Sequence, residues 1–381
     1  MRPPMSDGFG LDHLPYGVFT TEGSAPRVGV RNADAVLDVA GVRPELDRPS
    51  LNDFMALGPE AWAETRDEIT GLAASDALRS FPVEEVALLL PFEVGDYVDF
   101  YASVEHASNV GRIFRPDQEP LLPNWRHLPV GYHGRGGTVV VSGTPVVRPC
   151  GQRKAPAEQS PTYGPSRRLD IEAELGFVVG AGSELGSRIG VDEFDAHVFG
   201  VVGLNDWSAR DIQAWEYVPL GPFLGKSFAT TVAAWVTPLA ALEAAWCDLP
   251  GQDPEPLEYL RGEAARGLDI AVEVVLNGEV VSRPPYRAMY WSAAQMLAHL
   301  TVNGASTRTG DLFASGTVSG VEPATRGSFL ELSWGGKEPF AGGHTFLEDG
   351  DEVVLRYSAP GTGGGRITLG EAVGRIEPAR M

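Results

Sequence analysis

One block of this chain carries several side chains that can do chemistry together. Asp206 closes an apolar run that begins at Phe199. Arg210, Gln213 and Tyr217 follow at spacings of three and four, which sets all three on one face of a helix. Polar tips of Arg, Gln and Tyr beside an Asp make a poor core face and a good ligand face. A surface helix capped by Asp206 or Ser208 fits the same residues. A Pro/Gly turn then delivers Lys226 and Thr230.

Further carboxylates lie elsewhere. Residues 169–180 read as a strand, and alternation puts Glu172 and Glu174 on one face. Paired carboxylates there repel unless a cation lies between them, or unless the face is exposed. Residues 96–103 read as a strand with Asp99, Tyr101 and Ser103 on one side, and a short helix with His106 follows. His106 near an Asp and a Tyr is either a base or a structural histidine. Asp99, Glu172, Glu174 and Asp206 together offer oxygen only, the donor set of Mg²⁺ or Ca²⁺, whereas zinc favours His or Cys. Residues 329–334 read as a strand whose carboxylate, Glu331, faces away from its apolar neighbours.

Two glycine-rich stretches imitate phosphate loops and are rejected. Residues 134–137 lead into a strand, and residues 221–227 are one residue short and contain Pro222. Arg148, Arg153, Lys154, Arg167 and Arg168 read as a solvated basic loop, or alternatively as attraction for an anionic substrate.

The supporting elements are mostly short strands with some helices. Gly 46 and Pro 30 in 381 residues point to many turns. Residues 1–92 read as a small β-barrel domain with helices, including one over residues 60–72; Gly58-Pro59 interrupts before it. Residues 93–381 read as the larger domain. An Asn277-Gly278 turn marks a hairpin. Net charge is -21, which opposes binding to nucleic acid or anionic membranes. Two cysteines without a CxxC exclude a disulfide framework and a thiolate zinc site. The first residues lack a signal-peptide core, and no apolar run reaches membrane-spanning length, so a cytoplasmic protein is expected.

Taken together, the motifs resemble the fumarylacetoacetate hydrolase family. They are Asp99-Phe-Tyr101 with His106, Pro123-Asn-Trp through Tyr132-His-Gly, Glu172-x-Glu174, the block from Asn205 to Thr231, and Ala-Ser-Gly-Thr317. The resemblance spans almost the whole chain. It implies an SH3-like N-terminal β-barrel, a mixed β-roll catalytic domain and a homodimer. It further implies metal-dependent hydrolysis of 4-fumarylacetoacetate, a diketo dicarboxylic acid, to fumarate and acetoacetate. By position, Asp99, Glu172, Glu174 and Asp206 would hold Mg²⁺ or Ca²⁺, with Mn²⁺ an alternative. Lys226 and Thr230 would join Asp206 at a secondary cation site. His106 would be the base, oriented by Glu331, with Arg210, Gln213 and Lys226 assisting. Tyr101, Arg115, Tyr132, Arg210, Gln213, Tyr217 and Thr317 would contact substrate. An acylpyruvate or an oxaloacetate-like acid would be the substrate of other members of the superfamily.

Overall fold

The computed structural model describes residues 8–155 and 157–380. Residues 1–7, where the sequence reading looks for a leader, lie outside them. Five short strands near the N-terminus form one antiparallel sheet. Its order is Ser80–Pro82, Ala35–Asp38, Arg27–Asn32, Tyr16–Thr20, Ala87–Leu89. The helix beside it runs Pro59–Ala74. Pro59 opens that helix rather than interrupting it, because a proline in the first turn forfeits no helical hydrogen bond. Trp62 on this helix meets Phe199 edge-on, with ring centroids 5.4 Å apart. The first sheet is thereby seated on the larger body.

That body is built on an eight-stranded mixed sheet. Its main path runs Gly131–His133, Tyr97–Phe100, Leu312–Ala314, Ala173–Val179, Val198–Asp206, Thr230–Val232, Val139–Val141, and Thr237–Pro238 pairs from the side. Tyr97–Phe100 lies parallel to Leu312–Ala314, far away in sequence. Ala173–Val179 and Val198–Asp206 are buried at every residue. Continuous apolar runs are what such doubly covered strands require.

A second sheet covers one face, in the order Glu279–Ser282, Ala271–Leu276, Glu352–Pro360, Arg366–Glu377, Val146–Val147. The expected hairpin is present. Asn277 and Gly278 both take positive φ, 49° and 87°, which matches a two-residue turn to the strand twist. Tyr357 of this sheet donates its hydroxyl to Leu204 O at 3.0 Å, pinning the two sheets together.

Several local expectations change. The segment with Glu331 is a helical turn, Phe329–Leu332, not a strand. Ser328 caps it, and Gly335 and Gly336 follow at positive φ. Neither Asp206 nor Ser208 caps the helix Arg210–Glu216; the cap position is Ala209, without a side-chain bond. The strand with Asp99 ends at Phe100, so Tyr101 and Ser103 lie beyond it. Arg148 is not solvated. It is 9% exposed and holds Asp349 at 2.6 Å and the carbonyls of Ser166 and Leu347.

Sheet contact is tightest at Gly203, where a Cβ would stand 2.2 Å from the Tyr357 ring. Gly203→Ala should destabilise the fold by about 1–3 kcal/mol, as overpacking does. Urea unfolding checks this, and an unchanged midpoint would refute the close contact.

Candidate active site and metal centre

Three strands of the mixed sheet each bring one carboxylate to a common point. Asp99 comes from Tyr97–Phe100, Glu174 from Ala173–Val179 and Asp206 from the end of Val198–Asp206. Glu172 joins them from the residue pair just ahead of its strand, where its N–H donates to Asn205 Oδ1 at 3.1 Å. Ligand oxygens from all four lie within 4.8 Å of one another, and every one of these residues is buried. Gly316 braces the group. It has φ +75°, a Cβ there would meet Phe100 O at 2.2 Å, and its N–H donates to Glu174 Oε2 at 3.1 Å.

The electrostatics of this cluster are uneven. Burial, then neighbouring carboxylates, pushes Asp99 and Glu174 well above the ordinary carboxylate range. Burial also raises Asp206, and the opposing pull of Lys226 does not overcome it. Burial pushes Glu172 the same way, but Lys226, Arg210 and His106 outweigh it and leave Glu172 low. Lys226 Nζ reaches Asp206 Oδ2 at 2.6 Å and also bonds Glu172 Oε2. Among the described residues, Asp99 Oδ1 and Glu174 Oε1 are buried with no hydrogen-bond partner. Buried carboxylate oxygens without donors are costly. Oxygen-only donors, converging and partly unsatisfied, fit a hard divalent cation.

Beside the cluster stands a hydrogen-bonded base. Ser103 caps the helix Val104–Phe114 by accepting from the His106 N–H, and so fixes His106 on its first turn. Nδ1 of His106 lies 2.7 Å from Glu331 Oε2. Glu331 is fully buried and also accepts from Asn109, Ser319 and Ser328. Burial would raise its pKa, but His106 and these donors prevail and keep it low, hence ionised. An ionised carboxylate only accepts, so Nδ1 of His106 carries the proton of this bond and Nε2 faces away from Glu331. That Nε2 is 3.8 Å from Glu172 Oε1.

Arg210 lies on the other flank. Its Nε donates to Asp170 Oδ2 at 2.7 Å, and its Nη1 to Glu172 Oε1 at 2.8 Å and Gln213 Oε1 at 3.2 Å. Its Nη2 is buried with no partner. His106, Arg210, Gln213, Tyr101, Arg115, Tyr132, Tyr217 and Thr317 all line one cavity of about 400 Å³, with Asp99, Glu172 and Lys226 at its floor. Glu331 stays behind His106. Thr230 lies outside this cavity and donates to Asp206 Oδ1 at 3.2 Å. Tyr132 also turns to Asp206, donating at 3.1 Å.

A carboxylate-held imidazole, a guanidinium Nη2 with no partner among the described residues and a hard-cation cage beside one cavity can activate water and stabilise an oxyanion. A model for the C-terminal part of fumarylacetoacetate hydrolase matches residues 97–376, and one for the N-terminal part of fumarylacetoacetase matches residues 12–92. This chain belongs to the fumarylacetoacetate hydrolase family. Within the family it is 46% identical to the fumarylacetoacetases of Rattus norvegicus and Homo sapiens. The rat alignment spans 97% of this chain and 96% of the relative, and the human one 98% and 97%. The Caenorhabditis elegans fumarylacetoacetase is 45% identical, over 99% of this chain and 98% of the relative. The fold is shared with a fumarylacetoacetate hydrolase from Exiguobacterium antarcticum at TM-score 0.62 and 18% identity, covering 96% and 100% of the two chains. It is also shared with a maleylpyruvate hydrolase from Sphingobium sp. SYK-6, solved with manganese(II) and pyruvate, at TM-score 0.55 and 15% identity over 96% and 100%.

One residue of this family site escaped the sequence reading. Asp170 is fully buried, and the same alternation that marks Glu172 and Glu174 includes it. It accepts from Arg210 and from the N–H groups of Phe329 and Leu330, which open the turn bearing Glu331. One carboxylate thus steadies both flanks. Asp170→Asn should lower kcat about ten- to hundred-fold, the range typical of a supporting-shell loss, while KM moves little. Steady-state kinetics with circular dichroism decide it; wild-type kcat in a folded variant would deny Asp170 this role.

The raised carboxylates also carry a pH signature. Without an ion, Asp99, Glu174 and Asp206 bind protons in the folded chain that the unfolded chain has already released. Stability of metal-stripped protein should therefore fall as pH rises above the ordinary carboxylate range, since the native state holds more protons there. Glu172 and Glu331, being low, act in the opposite sense, but only as pH falls below the ordinary carboxylate range. Added divalent ion should release protons and flatten the decline. Thermal melts against pH, with and without metal, test this; a metal-free melting temperature that climbs across that range would contradict it.

Proposed function

We infer that this chain hydrolyses the carbon–carbon bond of 4-fumarylacetoacetate to fumarate and acetoacetate, the last step of tyrosine catabolism. It is a hydrolase acting on carbon–carbon bonds. The carrying observation is the cavity that joins His106, backed by Glu331, to Arg210 and, through Asp99 and Glu172 at its floor, to the four-carboxylate cluster. Near-complete alignment at about 45% identity to fumarylacetoacetases from animals supports the substrate.

Asp99, Glu172, Glu174 and Asp206 hold the ion in this reading. When bound, a divalent cation would polarise the diketone oxygens and take up enolate charge. Magnesium and calcium both suit all-oxygen donors, and the manganese-bound Sphingobium structure supports a divalent ion of this class. His106 Nε2 takes a proton from water, and the hydroxide adds to the carbonyl nearer the fumaryl arm. Arg210 Nη2 donates to the oxygen that becomes alkoxide, with Gln213 holding the guanidinium. Collapse of the alkoxide breaks the carbon–carbon bond, and the proton on His106 is then at hand for the enolate carbon. Lys226, held by Glu172 and Asp206, balances charge at the floor. Arg115, Tyr101, Tyr132, Tyr217 and Thr317 receive the two carboxylate ends. Thr230 and Lys226 complete the Asp206 side.

The same proposal divides the chain into residues 1–92 and 93–381. The first sheet, complete at Leu89, and the two family matches support that division and an SH3-like character for the smaller part. It includes a homodimer in the cytoplasm, without nucleic-acid or membrane partners. The acidic balance supports the last point, and among the described residues no helix is long and apolar enough to cross a membrane.

Loss of fumarylacetoacetate absorbance, measured beside acylpyruvate and oxaloacetate substrates, tests the activity. A faster rate on either alternative would transfer the proposal to that acid. His106→Ala should cost roughly two to four orders of magnitude in turnover, the usual worth of a general base, with calorimetric metal affinity unchanged. Near-normal turnover in that variant would strip His106 of the role.

A further inference from the structure

The carboxylate cluster is approached by cavities from two sides. The substrate cavity reaches Asp99 and Glu172. A second cavity, of about 360 Å³, reaches Asp206. The two share only a thin partition of Tyr132, Pro222 and Lys226. Asp206, Lys226 and Thr230 line the second one, the residues to which the resemblance gives a secondary cation site, but no step of the hydrolytic reading passes through it.

Its lining includes two buried hydroxyl residues beside Asp206 and Lys226. Tyr97 is 1% exposed, and its hydroxyl, which has no hydrogen-bond partner, lines this space. Thr230, 2% exposed, lies beside it with its hydroxyl on Asp206. At about 30 Å³ of liquid volume per water, the space holds an ion together with its hydration shell. The substrate cavity is less suited to a cation. Arg115 and Arg210 line it, its natural occupant is a dianion, and an occupant would close it. On the far side Lys226 is already compensated by Glu172 and Asp206. Arg135, exposed at the rim, is the remaining repelling charge.

We propose that this second cavity is the port through which a divalent cation enters and leaves the carboxylate cluster, independently of the substrate. The proposal rests on the metal reading above. Neutral hydroxyl oxygens along the wall can replace hydration waters one at a time, as an ion that dehydrates reluctantly requires. Exchange then continues while substrate fills the other side.

Gly137 offers a plug. It lies on the cavity wall, has no positive φ, and a Cβ there would meet nothing within 4 Å. The experiment uses metal-stripped full-length protein, Mn²⁺ as probe, and stopped-flow detection of free Mn²⁺ with a competing indicator. Saturating fumarate should leave the wild-type loading rate unchanged. Gly137→Trp should slow loading and release by roughly ten-fold each, so that Kd stays constant while both rates fall. Once loaded, that variant should turn over at the wild-type rate. Arg135→Glu should accelerate loading at low ionic strength, and the gain should fade as salt is raised. Loading blocked by fumarate, or Gly137→Trp and Arg135→Glu loading at the wild-type rate, overturns the port and leaves the metal site standing. Failure of the wild type to take up Mn²⁺ at all overturns the metal reading and the port with it.

Discussion

Mutual repulsion among buried carboxylates is the constraint on which the site depends. Asp99, Glu172, Glu174 and Asp206 crowd within a few ångströms of one another, each of them buried. Burying isolated charge is prohibitive, so the chain must answer it with cations. Lys226 and Arg210 answer for Glu172 and partly for Asp206. Lys226 also draws Asp99 and Glu174 down, but burial and the neighbouring carboxylates outweigh it, and each keeps an oxygen with no hydrogen-bond partner among the described residues. The remaining deficit is what selects a hard ion. The rest of the molecule, the mixed sheet, the sheet that covers it and a seated N-terminal sheet, keeps four like charges from separating.

The two flanks are tied to that centre by separate hydrogen-bond chains with one common member. His106 leans on Glu331, Glu331 on three further donors, and its helical turn on Asp170. Arg210 leans on Asp170 directly. Base and oxyanion donor therefore keep their separation through a carboxylate that touches neither cavity. Stiff hydrogen-bonded support of this kind is what holds catalytic groups in register.

Much of this was legible from residue order because strand period and helix period are simple. Alternation marked Glu172 with Glu174, and a three-four spacing marked Arg210, Gln213 and Tyr217. A Pro/Gly turn marked Lys226. What escaped has physical reasons. The turn carrying Glu331 is four residues long, too short to show a helical period, and its determinant is a single serine cap. Asp170 looked like one more strand residue, because its partners, Phe329 and Leu330, are far away along the chain. Arg148 looked solvated since its ion-pair partner, Asp349, is equally distant. The second cavity has no sequence signal at all, as it exists only where separate loops meet. The small barrel read into residues 1–92 corresponds to a five-stranded antiparallel sheet.

The parallel pairing of Tyr97–Phe100 with Leu312–Ala314 has an effect during synthesis. A ribosome releases the first ligand, Asp99, long before the strand that must lie beside it, and Glu331 emerges later still. Until then the strand bearing Asp99 has only Gly131–His133 to pair with on its other side. A polypeptide terminated before residue 331 leaves His106 without the carboxylate that holds its Nδ1, so the base is the last part of the centre to be completed.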